Sequence, residues 1–149
     1  MPVSSRSKSI PDITIIVPTF NEHDNVEPLV ERLNQCLAGR DWEILIVDDN
    51  SPDGTARHVA NLGKADSRIK CLLRIGRRGL SSACIEGMLA SSSPLVAVMD
   101  SDLQHDVAIL PKMIDAVSNS DVHIAIGSRY INGGDMDQLT FWRKMASRT

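Results

Sequence analysis

Aromatic side chains are nearly missing from this chain: two Trp, two Phe and one Tyr, 3% of 149 residues. Aliphatic side chains must therefore supply the packing. Cysteine is scarce as well. Cys36, Cys71 and Cys84 are odd in number and fit no metal-ligand spacing. That argues against a disulfide framework or a zinc module and leaves buried, reduced thiols in a cytosolic protein as the expectation. A surplus of positive charge is absent too. The net charge is −3 and the basic residues are dispersed apart from Arg77-Arg78, so no nucleic-acid partner is expected. No apolar run approaches the roughly 20 residues of a membrane span, and any membrane contact within the chain must be peripheral. The first residues are rich in Ser, Arg and Lys without an apolar segment, so 1–12 read as a disordered lead-in rather than a signal peptide. Neither G-x-G-x-x-G nor the Gly-Lys-Ser/Thr ending of a Walker loop occurs.

What is there alternates between two periodicities. Ile13 to Val17 is a β-branched run stopped by Pro18, and predicts a strand. Asn25 is placed to cap a helix whose stripe is Val26, Leu29, Val30, Leu33 and Leu37, ended by Gly39. Trp42 to Val47 predicts a second strand, Asn50 to Gly54 a turn, and Thr55 to about Leu62 a helix. Ile69 to Leu73 predicts a third strand, Gly79 to about Ser91 a helix, and Leu95 to Met99 a fourth strand. Asp106 is placed to cap a helix carrying Ile109, Leu110, Met113, Ile114 and Val117. Val122 to Ile126 predicts a fifth strand, and an amphipathic helix runs from about Leu139 to the end. Strands joined by helices make a parallel, doubly wound α/β sheet in one domain, residues 13–149. The chain stops inside that last helix with no closing signal, as a longer fold cut short would.

Two of the strands end in acids: Asp48-Asp49 after the second, Asp100-Ser101-Asp102 after the fourth. In open α/β sheets ligands bind at the carboxyl edge. Residues two apart on an extended backbone point to one side, so Asp100 and Asp102 suit Mg²⁺ or Mn²⁺ shared with substrate phosphates. Gln104 and His105 either add a ligand or lead into the next helix. Asp48-Asp49 is costly at a buried strand end unless it meets a cation or a hydroxyl-rich ligand; the alternative is helix N-terminal charge. The loop from Pro18 to Glu22 either presents a ring and a carboxylate to a nucleotide or simply enters a helix. The basic turn from Arg74 to Ala83 either holds phosphate or is a capped surface turn. Arg129, after Gly127-Ser128, suits a phosphate by its planar fork. Arg143, Lys144 and Arg148 share a helix with Phe141, Trp142 and Met145, which is either a solvated basic face or an interfacial helix meeting anionic lipid.

Taken in order, Val17–Glu22 (VPTFNE), Asp48–Thr55 (DDNSPDGT), Arg78–Ala83 (RGLSSA), Asp100–His105 (DSDLQH) and Gly127–Tyr130 (GSRY) resemble the polyprenyl-phosphate glycosyltransferases, and in particular their dolichyl-phosphate mannosyltransferase branch. These belong to glycosyltransferase family 2, inverting enzymes of the GT-A fold. The resemblance covers about residues 13 to 149. It implies that Pro18, Phe20, Glu22 and Asp49 line a nucleotide pocket, and that Asp100, Asp102 and Gln104 hold Mg²⁺ or Mn²⁺. It implies that Ser128, Arg129, Arg143 and Ser147 meet donor or lipid phosphate, with Asp100, Asp102 and Arg129 at the reacting centre. The implied partners are a nucleotide sugar (GDP-mannose or a UDP-sugar), a dolichyl or polyprenyl phosphate, and a membrane touched peripherally through the C-terminal helix. The implied place is the cytoplasmic face of that membrane. Departures from the family pattern are Phe20 where Tyr is common, Ser81 where Gly is frequent, and Asp106-Val107 where a Pro is usual. The family also continues past this length, into the part that receives the acceptor.

A signalling receiver domain is the competing expectation. Ile44 to Asn50 would be its acid-bearing first strand, Asp100 its phospho-acceptor and Ser128 its switch hydroxyl. A complete strand and helix before Trp42, and the run Ser101 to Gln104 after Asp100, oppose it.

Overall fold

The structure is a computed structural model, and it describes residues 10–104, 106–119 and 121–127. Within them the order is β1 (Ile13–Thr19), α1 (Val26–Cys36), β2 (Trp42–Asp48), α2 (Thr55–Ala65), β3 (Ile69–Leu73), α3 (Leu80–Ala90), β4 (Leu95–Val98) and α4 (Leu110–Ser118). Short 3₁₀ turns precede α1 (His23–Asn25) and α4 (Val107–Ile109). The four strands pair in parallel in the order β3-β2-β1-β4. Every residue of β1 and β2 is buried, as central strands covered on both faces must be, while the edge strands β3 and β4 are only partly covered.

Side-chain alternation separates the two faces. Ile16, Leu45 and Val47 cluster with Ala83 of α3, and Ile15, Val17, Ile44 and Ile46 point the other way. The α3 helix lies close because Gly87 has no side chain: a Cβ there would stand 2.5 Å from Ile16 Cγ2 and 2.9 Å from Val47 Cγ2. Ala is the better helix former by about 1 kcal/mol, yet the two methyls are backed by buried strands. Gly87→Ala is therefore expected to destabilise by about 1–3 kcal/mol, read as a lower urea midpoint; an increase would show that the helix can lift without loss. Gly63 of α2 plays the same part against β3, where a Cβ would meet the Ile69 carbonyl oxygen at 2.6 Å.

Some boundaries differ from the sequence expectation. Pro18 does not stop β1, which continues to Thr19. Ile16 faces β4, since its carbonyl accepts Met99 N–H at 3.1 Å, and so does residue 18. The last β1–β4 pair is Ile16↔Val98, so the N–H that Pro18 lacks falls beyond the paired stretch. Asn25 takes the N-cap position of α1 as expected, but its side chain makes no capping hydrogen bond; its Nδ2 donates to Glu22 Oε2 at 2.5 Å. Residue Ile109, not Asp106, is the N-cap of α4, because a 3₁₀ turn intervenes. Of the expected lead-in, residues 1–9 lie outside the described residues, and the Asp12 N–H donates to Asp41 O at 2.9 Å. The expected strand Val122–Ile126 is not formed: residues 122–127 have no regular secondary structure.

Two compact units meet in the sequence at Val107 and Ala108. The sheet and its helices α1 to α3 belong to the first. In the second, α4 buries Leu110 and Ile114.

Candidate nucleotide-sugar site at the carboxyl edge

The chain leaves β1 towards β2 and β3, then returns to place β4 on the other side of β1. The winding direction therefore reverses between β1 and β4, which is where a doubly wound sheet opens its crevice. The loop Phe20–Glu22 leaves one side of that point and Asp100–Gln104 the other.

The first loop is held by side chains of the second. Three consecutive backbone N–H groups donate outwards: Asn21 to Ser51 Oγ at 2.9 Å, Glu22 to Thr55 Oγ1 at 3.2 Å and His23 to Asp53 Oδ2 at 3.2 Å. Asp53 Oδ1 also accepts the N–H of Thr55 at 2.9 Å and its hydroxyl at 2.6 Å. Gly54, at φ +88°, turns the chain into α2. Desolvation pushes the Asp53 carboxyl up, but the Thr55 hydroxyl and N–H and the His23 N–H outweigh it and hold it below its usual value. A depressed folded pKa means its stabilisation is complete above the unfolded value and is lost as pH falls through the folded one. Asp53→Asn is expected to flatten the stability curve below about pH 4 while leaving it unchanged in slope at pH 6–8; an identical acid limb in the variant would count against this.

Asp48 is fully buried and belongs to the scaffold. It accepts the Ser51 N–H at 2.9 Å, the Ser51 hydroxyl at 2.5 Å and the Thr19 hydroxyl at 3.3 Å. Asp49 is buried and already has its cation: Arg74 Nη1 lies 2.5 Å from Oδ1, and Gly79 N–H donates to Oδ2 at 2.8 Å. The cost foreseen for adjacent buried acids is thus met from inside the protein. Arg74 is 1% exposed and also reaches Gly79 O, Ser82 Oγ and Glu86 Oε1. It organises the loop before α3 rather than being free for phosphate, and Arg77 is likewise engaged by Glu86 at 2.6 Å. Arg74 is the site residue whose partner sequence reasoning missed. The available signal was register: Asp48 pairs with Leu73, so the next residues are neighbours too.

Pro18 is buried inside β1, whereas Phe20 is 43% exposed and carries the Arg78 guanidinium 4.4 Å from its ring centre. Glu22 is half-buried. Asp100 is exposed, and Asp102 and Gln104 are half-buried. The backbone from 101 to 103 bends, with Leu103 at φ +58°, so the extended arrangement expected for Asp100 and Asp102 is not the one formed. Asp102 Oδ1 accepts the Gln104 N–H at 3.0 Å, an Asx-type turn. Among the described residues no three His, Cys, Asp or Glu side chains are already gathered for a metal. His105, Ser128, Arg129, Arg143 and Ser147 lie outside the described residues.

The three thiols are free and half-buried. Burial, with Asp48 nearby, pushes Cys71 up to about 11. Its reaction with iodoacetamide at pH 8 is expected to be on the order of a hundredfold slower in the folded chain than in urea; equal rates would contradict the buried environment.

A parallel sheet with a carboxylate-bearing loop on each side of its switch point defines a doubly wound α/β protein. Residues 14–145 match the profile of glycosyl transferase family 2, and the chain belongs to that family. It is 41% identical over 136 residues to a dolichol-phosphate mannosyltransferase of Pyrococcus furiosus, covering 91% of this chain and 38% of that one. It is 31% identical over 142 residues to the dolichol-phosphate mannosyltransferase of Saccharomyces cerevisiae, covering 93% and 52%. The chain thus spans between about two fifths and half the length of these relatives. Among solved structures it is similar to a mannosyltransferase of Pyrobaculum calidifontis in complex with GDP-Man and Mn²⁺, with a TM-score of 0.61, 22% identity, and coverage of 75% of this chain and 34% of that one. It is also similar to glucosyl-3-phosphoglycerate synthase of Mycobacterium tuberculosis in complex with UDP, with a TM-score of 0.59, 19% identity, and coverage of 74% and 41%. These likenesses show the GT-A fold. Family membership replaces the receiver-domain reading.

Proposed function

We propose that this chain is the donor-binding part of an inverting hexosyltransferase that moves a mannosyl group from GDP-mannose to a dolichyl or polyprenyl phosphate. The observation that carries this reading is the position of Asp100 and Asp102: they follow β4 at the switch point, beside the loop that follows β1. The identity to dolichol-phosphate mannosyltransferases, 31–41% over most of the chain, supports the acceptor and the sugar.

The donor set fits a hard divalent cation. Asp100 is exposed, Asp102 has one oxygen engaged by a backbone N–H, and the amide oxygen of Gln104 is the same class of ligand. Mg²⁺ or Mn²⁺ held there would neutralise charge developing on the departing nucleoside diphosphate. Asp100, Asp102 and Gln104 bind and orient the diphosphate end of the donor. Pro18, Phe20, Glu22 and Asp49 form the nucleoside end, with Asp49 acting through the loop it pins. Ser128, Arg129, Arg143 and Ser147 meet the phosphates of donor and acceptor. A phosphate oxygen of the acceptor is already anionic at neutral pH, so no strong general base is needed. It forms the new bond to the anomeric carbon as the bond to the diphosphate breaks, on opposite faces. An α-linked donor then yields a β-linked lipid phosphate sugar. No described helix is long and apolar enough to cross a membrane. The lipid is met at the cytoplasmic face, peripherally, by the segment that carries Arg143 and Ser147.

Incubation with labelled GDP-mannose, dolichyl phosphate and Mn²⁺ is expected to place label in the lipid phase. Label transferred from UDP-glucose instead would overturn the donor, and binding of GDP without any transfer would restrict the reading to donor binding. Arg143→Ala is expected to weaken use of the lipid phosphate more than binding of GDP; equal losses would remove Arg143 from the acceptor side.

A further inference from the structure

Three arginines leave the end of β3, and two carboxylates answer them. Arg74 is bound by Asp49, Glu86, Ser82 and the Gly79 carbonyl, and Arg77 by Glu86 at 2.8 and 2.6 Å. Arg78 lies against no carboxylate among the described residues. Its guanidinium stands over the ring of Phe20. This position is held from both sides, by the Arg77–Glu86 pair before it and by Gly79 N–H on Asp49 after it. An arginine set over an aromatic face keeps the N–H donors on its rim available.

The strand order says which part of a donor would meet it. Along the carboxyl edge, in the order β3-β2-β1-β4, come Arg78, Asp49, Phe20 and then Asp100 with Asp102. The loop before α3 reaches over the end of β2 to touch the residue after β1. With the diphosphate drawn to the β4 end, the far end of the nucleotide falls at Phe20 and Arg78. We infer that Arg78 reads the edge of the donor's nucleobase and favours guanine over uracil, an inference that rests on the nucleotide-sugar reading above. Guanine offers two adjacent acceptors, O6 and N7, to the guanidinium fork. Uracil offers O4 flanked by a donor N–H, so only one of the paired contacts can form. A lysine at this position would supply a point charge without the fork.

The test is calorimetric titration of the purified chain with GDP, UDP and inorganic pyrophosphate, each with Mn²⁺, for the wild type, Arg78→Ala and Arg78→Lys. Arg78 is exposed, so the variants are expected to keep the wild-type melting curve. Both should lose about tenfold or more in GDP affinity, with UDP and pyrophosphate changed little. Equal losses for GDP and UDP, a parallel loss for pyrophosphate, or full retention of GDP affinity by either variant would overturn the assignment. Wild-type binding of either nucleotide tests the donor-site reading by itself. Binding with an unchanged GDP-to-UDP ratio in Arg78→Ala removes only the role of Arg78, whereas no binding by the wild type removes both.

Discussion

Arg74→Met is expected to cost about 3–5 kcal/mol of stability, the range for stranding one partner of a buried ion pair. The Arg74 side chain is 1% exposed and that of Asp49 11%. Without the guanidinium, Asp49 would keep, among the described residues, only the Gly79 N–H as a donor, Glu86 would keep Arg77, and the Gly79 carbonyl and Ser82 would each lose a donor. Methionine preserves much of the stem's volume, so the loss reports the charge and its hydrogen bonds more than packing. Adding Asp49→Asn should recover part of it, since an amide without a cation is far less costly to bury than a carboxylate. Urea unfolding at pH 7 measures both. A loss under about 1 kcal/mol, the range of an exposed ion pair, would mean that water reaches the pair. The consequence for function runs through the loop before α3: if Arg74 holds it, Arg78 and Phe20 lose their juxtaposition in the variant, and GDP binding falls together with stability.

Asp102→Asn is expected to leave the chain folded and to abolish its stabilisation by GDP with Mn²⁺. Ligand at about a hundred times its Kd adds roughly 2.7 kcal/mol to the folded state, a shift of several degrees for a domain of this size. The asparagine oxygen can still accept the Gln104 N–H, so the turn survives while the charge that attracts the cation does not. Asp102→Ala removes both and separates the two contributions. Thermal unfolding with GDP or UDP, each with and without Mn²⁺, gives the answer. An undiminished Mn²⁺-dependent shift in Asp102→Asn would remove Asp102 from the metal site. A shift by GDP that never required Mn²⁺, even in the wild type, would remove the metal from donor binding.

Helices α1 to α4 and the first four strands were legible because their signals are local, and the helix expected from about Leu139 lies outside the described residues. Continuous β-branched runs mark buried strands, and the stripe Val26, Leu29, Val30, Leu33 and Leu37 marks one helical face, all buried as expected. The acids at the ends of β2 and β4 were legible for the same reason. Their roles were not. Asp48 and Asp49 look alike as neighbours in the chain, yet one anchors the turn through Ser51 and Thr19 and the other takes the cation of Arg74. That division depends on which side of β2 each side chain faces and on what the adjacent strand brings there. The segment DDNSPDGT reads as turn residues and as a family signature. In space its Ser51, Asp53 and Thr55 accept the three N–H groups of Asn21 to His23, and no local pattern foretells the loop they hold. Asn25 stands at the N-cap its chemistry suits, yet its side chain makes no capping bond and its Nδ2 donates to Glu22 instead. Val122 to Ile126 has the composition of a strand, but composition alone does not place it in the sheet.

By itself the sequence determined the alternation of strand and helix, the parallel sheet it requires and the family to which the chain belongs, because hydrophobic periodicity and motif order are properties of the chain alone. Only the tertiary structure decided which charges are spent inside the protein and which are left for a ligand. The pairing of Arg74 with Asp49 and of Arg77 with Glu86, and the stand of Arg78 over Phe20, join residues brought together by strand register and loop geometry. Electrostatic and hydrogen-bond energies depend on those distances, and distances belong to the fold.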